Sequence, residues 1–282
     1  MNPQSASGPE YLRLATTLLR RMRLASPEGG IWEAADIQWW SRKDRRTGLF
    51  WLDGDGEPLA AFLATDFGHS VQCDVLVLPA DETFAGDVWH AAIGYCAMGY
   101  SDAVEFTVRL DDAPGIAALA AAGYTLADPV GVVSCWLDAP ARPPVPGLPD
   151  GYRLRSRAAD PDRPHPLIAR NGRDVEQRLR ECSLYQPDLD LMVLAPDGEL
   201  AGYGLFWPDP VTGVGLVEPI RIEDAHQGRG LASNLVATGL DLLAVRGCGR
   251  LKVCSDRGLY TRLGFRRLDS ATAGIYQRPD GA

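Results

Sequence analysis

Between residues 214 and 245 an apolar run, a glycine-bearing turn and a long amphipathic segment follow one another without interruption. That order leaves little choice but strand, tight loop, helix. Residues 214–222 (VGLVEPIRI) read as the strand, 223–230 (EDAHQGRG) as the loop, and the helix opens at Leu231. Leu231, Leu235 and Leu242 fall on one helical stripe and Val236, Leu240 and Leu243 on the next. The pattern stops at Arg246-Gly247, a cation in the last turn with a glycine just past it. Gly228 and Gly230 flank Arg229 at the helix start. Without Cβ atoms in the way, successive backbone N–H groups there can turn toward one point, where the helix dipole adds positive potential. The residue types in this order describe a phosphate cradle.

The rest of the chain has to accommodate that unit. At 282 residues there is room for one large domain or two ordinary ones. With 46% hydrophobic and 23% charged residues the composition is that of a globular protein rather than a disordered one. No apolar run reaches bilayer-spanning length, and the opening MNPQSASG lacks a basic region followed by an apolar core. A cytoplasmic location is the expectation, with no membrane partner. A formal charge of −9 argues against nucleic acid and suits a cationic substrate such as an amine.

Six cysteines (73, 96, 135, 182, 248, 254) form no C-x-x-C pair, so the spacing offers neither a zinc site nor a disulfide framework; buried thiols are expected. His69, His90, His165 and His226 are scattered and read as ordinary. Trp39, Trp40, Trp51 and Trp207 read as core residues. Trp207, in a W-P-D-P turn, is the one that could border an acceptor pocket, with Asp209 holding an ammonium group.

Taken in order, helices are expected at 10–25, 31–42, 84–98 and 112–121, and strands at 49–53, 58–65, 74–78, 103–108, 124–126 and 131–137. Residues 139–151 carry five prolines and read as a linker. Beyond it come a strand at 152–157, helices at 164–171 and 174–182, strands at 189–194 and 199–207, and the 214–247 unit. A strand at 251–255, a helix at 257–263 and a closing pair at 265–268 and 274–277 follow. The two halves echo each other: DGEPLAAF at 55–62 against DGELAGY at 197–203, and AAGY at 121–124 against RLGF at 262–265. The first copy lacks an evident first strand, places Asp81 and Glu82 where phosphate-binding amides are wanted, and has Leu119 where the second copy has Tyr260.

Gln227-Gly228-Arg229-Gly230-Leu231-Ala232 resembles the [Gln/Arg]-x-x-Gly-x-[Gly/Ala] signature of the GNAT acetyltransferase superfamily. Leu259-Tyr260-Thr261-Arg262-Leu263-Gly264-Phe265 is similar to its Leu-Tyr-x-x-Leu-Gly-Phe segment, and the order β-α-α-β-β-β-α-β-α-β is that family's. The resemblance covers residues 152–278. It implies an α/β (α+β) fold of two tandem GNAT-like domains, each a mixed central sheet flanked by helices: a degenerate copy at 1–138, the linker, and an acetyl-CoA-binding copy at 152–282. An inactive first copy before an active second one is similar in layout to the mycothiol synthases.

On the resemblance, Gln227, Gly228, Arg229, Gly230, Leu231, Ala232 and Ser233 would hold the pyrophosphate of acetyl-CoA, and Ile220, Arg221 and Ile222 would bind its pantetheine arm like an added strand. Tyr260 takes the position that protonates the leaving thiolate, a role suited to a phenol that stays neutral at working pH. Glu218 is the candidate base; period-two alternation places it on one face with Ile220 and Ile222, and Pro219 suits a bulged strand. The family's Asn-x-x-Ala ahead of the tyrosine is replaced by Cys254-Ser255-Asp256-Arg257-Gly258, where Ser255 would make the cofactor contact. The expected activity is direct acetyl transfer from acetyl-CoA to a primary amine on a small molecule, with no metal. The alternatives are a protein lysine or N-terminal acetyltransferase and a non-catalytic acyl-CoA-binding module.

Overall fold

The computed structural model describes residues 1–40, 47–67, 70–79, 81–100 and 104–278. The chain divides into two compact units, Met1–Val133 with Leu268–Ala282, and Ser134–Arg267.

Unit 1 runs β1 (Gln4–Ser7), α1 (Gly8–Ala25), α2 (Ala34–Trp40), β2 (Thr47–Leu52), β3 (Pro58–Asp66), β4 (Val71–Val77), α3 (Glu82–Gly99), β5 (Val104–Arg109), α4 (Ala113–Ala121) and the first part of β6 (Thr125–Asp138). Strands β1 to β5 lie side by side in chain order, antiparallel except for the parallel pair β4 and β5. Helix α1 buries Tyr11, Leu14, Ala15, Leu18 and Leu19, the spacing of an amphipathic face. Helices α3 and α4 cover the other face, where Trp89, Phe106, Leu119 and Tyr124 share one apolar cluster.

Unit 2 repeats the order with β7 (Arg153–Ser156), α5 (Ile168–Asn171), α6 (Val175–Glu181), β8 (Asp190–Leu194), β9 (Leu200–Asp209), β10 (Val214–Ile222), α7 (Leu231–Val245), β11 (Arg250–Val253), α8 (Gly258–Arg262) and the start of β12 (Arg266–Gln277). Its sheet runs β7-β8-β9-β10-β11 and is completed by Cys135–Asp138 of β6, antiparallel to β11. Helix α7 buries Leu231, Leu235, Val236, Leu240 and Leu243 against this sheet, whereas Leu242 is half-buried.

Several expectations need correction. The first copy does have its first strand: Gln4–Ser7 pairs antiparallel with Phe50–Thr47. Only Ala6 of the four is buried, so the strand rests on backbone pairing and leaves no apolar alternation in the sequence. The two strands expected at 124–126 and 131–137 are one strand, β6, and the closing pair expected at 265–268 with 274–277 is one strand, β12. Residues 125–131 of β6 are exposed and extended, a setting that tolerates Pro129 and Gly131. Helix α2 starts at Ala34 rather than 31, and the end of that expected helix lies outside the described residues.

The compact units also divide the chain elsewhere than the proline run does. Cys135–Asp138 joins unit 2 through its pairing with β11, and Ala273–Gln277 joins unit 1 by pairing antiparallel with Arg109–Glu105 of β5. The proline-rich segment itself lies along α7. Ala139 N–H donates to the Gly249 carbonyl at 3.0 Å, Arg142 pairs with Asp241 at 2.7 Å, and Asn234 Nδ2 donates to the Pro146 carbonyl at 2.5 Å.

Five cysteines are buried and Cys254 is half-buried; Cys73 and Cys135 sit on strands but Cys96 on α3. His165 is buried, its Nε2 2.7 Å from Asp190. Among the described residues no helix is long and apolar enough to cross a membrane.

Candidate functional site: a splayed strand and an uncapped helix start

Strand β10 keeps two partners for only part of its length. It pairs parallel with β11 at Val214–Leu216 against Arg250–Lys252, whereas its antiparallel pairing with β9 continues to Ile222. Past Leu216 the edge that faced β11 is open. The β9 register shifts between Val217 and Ile220, so Glu218 and Pro219 together stand opposite one residue of β9. The peptide between them is cis. Trp207 Nε1 donates to the Glu218 carbonyl at 2.5 Å, fixing the bulge from the neighbouring strand. The alternation that grouped Glu218 with Ile220 and Ile222 is therefore interrupted, because a bulge resets the strand's two faces.

After β10 a single 3-10 turn, Asp224–His226, leads to Gly228 and Gly230 at φ 73° and 79°. Both are in the left-handed region that residues with a Cβ enter at a cost. Gly230 caps α7 and no side chain caps the helix start. The amides from Gly228 to Ser233 donate to no acceptor within the described residues. Gln227 braces the loop instead of pointing away, with its Nε2 donating to the Ile222 carbonyl at 3.3 Å and to Asp224 Oδ1 at 3.0 Å. Arg221 reaches the same Asp224 Oδ1 at 2.7 Å.

A cavity of about 490 Å³ opens between the splayed strand and this helix start. Of the expected residues, Ile220, Arg221, Ile222, Gln227, Gly228, Gly230, Leu231, Ala232, Ser233 and Tyr260 line it. Arg229, Glu218 and Ser255 do not. Arg229 is exposed, and Ser255 Oγ accepts the Arg257 N–H at 3.4 Å. Sequence reasoning missed His226, Arg257, Leu259 and Arg262, all of which line the cavity. His226 Nδ1 lies 3.0 Å from the Tyr152 hydroxyl. The two arginines bracket the Gly-Leu-Tyr-Thr run, and a cation pair flanking a site meant for phosphates was the available signal.

Tyr260 is 7% exposed, with its ring edge-on to Phe265 at 5.8 Å. Burial, reinforced by the charge of Glu218 and opposed by Arg257, pushes its phenol up to about 12, so it stays protonated at neutral pH. Burial alone pushes the Glu218 carboxyl up to about 7. Burial thus leaves a carboxyl that titrates near neutrality and a phenol that stays protonated there.

The acceptor-pocket idea for the W-P-D-P turn fails on geometry. Trp207 is fully buried, and Asp209 pairs with Val214 at the far end of β10 from the bulge, its Oδ1 accepting the Val211 N–H at 2.9 Å.

Residues 152–265 match the model of the Acetyltransferase (GNAT) family. This stretch is a GNAT domain. The chain is 35% identical over 81 residues to the uncharacterized N-acetyltransferase YhbS of Escherichia coli strain K12, covering 27% of this chain and 48% of that protein. The chain is 36% identical over 121 residues to the mycothiol acetyltransferase of Clavibacter michiganensis, covering 40% of this chain and 38% of that one. It thus spans about half the length of the first of these curated relatives and less of the second. A tandem GNAT protein from the clavulanic acid biosynthesis pathway shares the fold over 99% of this chain and 100% of its own, with a TM-score of 0.64 at 15% identity. Units 1 and 2 repeat one element order, and the fold shared with that structure extends over both.

Proposed function

We propose that the GNAT domain transfers an acetyl group from acetyl-CoA to a primary amine on a small molecule, by direct attack within a ternary complex. The observation that carries this reading is the run of unpartnered amides from Gly228 to Ser233 at an uncapped helix start, of which Gly228 and Gly230 to Ser233 line a cavity that also meets Tyr260. Amides without acceptors at a helix N-terminus bind a diphosphate without reorganisation. Arg257 and Arg262 add positive charge on the same cavity. The open edge of β10 at Ile220–Ile222 offers backbone groups to the amides of a pantetheine arm.

In this reading Glu218 takes a proton from the acceptor ammonium, directly or through a water. The amine nitrogen then bonds to the thioester carbonyl carbon, the carbon–sulfur bond breaks, Tyr260 gives its proton to the departing thiolate, and the second proton lost by the new amide nitrogen returns through solvent to the Tyr260 phenolate. The buried phenol remains protonated until that step. A relative named mycothiol acetyltransferase makes small-molecule amines the first acceptors to test.

Calorimetry with acetyl-CoA on the whole chain, followed by thiol release with an amine panel, tests the proposal. Saturable binding, and turnover that falls roughly a hundredfold in Tyr260→Phe with the affinity for acetyl-CoA retained, is expected. Binding without turnover on any amine would leave a non-catalytic acyl-CoA module. Turnover only on peptides would make the acceptor a protein.

A further inference from the structure

Unit 1 contains a second cleft, built from the same splay but of opposite chemistry. Strands β4 and β5 pair parallel only at Val71–Cys73 against Val104–Phe106. From Asp74 and Thr107 onward they line a cavity of about 270 Å³, closed by Met22, Ile31 and Trp32 on one side and by the starts of α3 and α4 on the other.

The cleft does not suit a phosphate. The start of α3 is already capped, because Asp81 Oδ1 accepts the Phe84 N–H at 2.8 Å. The charged residues lining the cavity are Asp74, Asp111 and Asp112 against a single cation, Arg109, and Arg109 is bonded to Asp111 through both its Nε, at 2.8 Å, and its Nη2. Asp112 caps α4 through the Gly115 N–H at 2.9 Å and accepts Trp89 Nε1 at 3.2 Å.

Asp74 remains. It is 1% exposed, and its carboxylate accepts Trp32 Nε1 at 2.7 Å and Gln72 Nε2 at 2.9 Å. Both donors are neutral, and no cation pairs with it among the described residues. Burial pushes its carboxyl up to about 6, so it is ionised at neutral pH at the cost of an uncompensated buried charge.

Thr107 supplies an independent observation. It is 4% exposed, and its Oγ1 has no hydrogen-bond partner. Its neighbours Phe106 and Val108 belong to the cluster with Trp89 on one face of the sheet, as does Cys73 beside Asp74. By strand alternation Asp74 and Thr107 therefore share the opposite face, the one that carries Trp32. An unsatisfied buried hydroxyl and an unpaired buried carboxylate on one face of one cavity are two costs that a single ligand would relieve.

We propose that this cleft binds a small organic cation carrying a primary ammonium group, held by the Asp74 carboxylate and the Thr107 hydroxyl, with its hydrocarbon part against Trp32 and Ile31. An ammonium donates to both oxygens and neutralises the carboxylate. The volume suits a ligand smaller than drug size. The site lies wholly in unit 1, so it does not depend on the acetyl transfer proposed for unit 2.

The test is calorimetric titration of the full chain with n-butylammonium chloride, against 1-butanol and sodium butyrate as neutral and anionic controls of the same length. Saturable binding of butylammonium alone is expected. Asp74→Asn should weaken it at least about tenfold, the size of one lost charge-assisted contact, and leave acetyl-CoA binding intact. Thr107→Val should weaken it several-fold and Thr107→Ser restore it, and this pair decides the matter if Asp74→Asn fails to fold. Equal binding of butanol, butylammonium affinity unchanged in Asp74→Asn, or amine density in soaked crystals confined to the unit 2 cavity would overturn the proposal.

Discussion

The indole of Trp207 donates its N–H to the carbonyl oxygen of Glu218 at 2.5 Å, at the point where β10 slips register against β9. One buried side chain on a neighbouring strand thus sets the backbone of the candidate base. Trp207→Phe keeps the aromatic volume but removes the donor. It should cost about 1–3 kcal/mol of stability through the unpaired carbonyl. If the bulge positions Glu218, kcat falls roughly tenfold while the Kd for acetyl-CoA holds. Chemical denaturation read alongside steady-state kinetics separates the two effects.

If Glu218 is the base proposed above, the activity has a pH dependence of defined sign. Its carboxyl is raised to about 7 by burial and accepts a proton only when ionised, so kcat/KM should rise with pH and level off above about 7. Glu218→Gln should remove that limb and lower the rate by about a hundredfold or more. For stability the sign reverses. The folded-state value lies above the ordinary 4.5, so burying the ionised form is unfavourable and stability falls as pH rises from about 4.5 to about 7. Glu218→Gln should therefore melt higher than the parent at pH 8 and gain nothing at pH 4.

The loop glycines are required by torsion and not by space. A Cβ built on Gly228 or Gly230 meets nothing within 4 Å, yet both have positive φ. Gly230→Ala should cost about 1–2 kcal/mol from the left-handed backbone alone. If the residue then relaxes to negative φ, the amides turn away and acetyl-CoA binding drops. Calorimetry with the nucleotide and a thermal melt on the same sample would show whether the two losses travel together.

Unit 1 offers the converse case. Asp81 occupies its own helix start, so Asp81→Ala should cost about 1 kcal/mol and create no measurable affinity for acetyl-CoA in unit 1. A new nucleotide site appearing in that variant would mean that the cap alone keeps the first copy silent.

The strand–loop–helix at 214–245 was legible because its determinants are local. Glycines at positive φ, an apolar helix stripe and a closing Arg-Gly each announce themselves within a few residues. The same holds for Tyr260, placed by a short helix next to its own motif. Amphipathic α1 was read from spacing for the same reason.

What the chain could not announce is everything that depends on a partner far away in sequence. Strand β1 has no pattern of its own and exists through pairing with β2. Cys135–Asp138 belongs with β11, and Ala273–Gln277 with β5, because backbone ladders are satisfied by whichever edge is adjacent, without regard to sequence distance. Arg257 and Arg262 became cavity residues only once β10 and β11 parted. The ionisation of Glu218 and Asp74 follows from burial, which a sequence does not carry. Local chemistry wrote the strand, loop and helix at 214–245, and tertiary packing chose which charges face their cavity, since desolvation and strand pairing are properties of the folded chain alone.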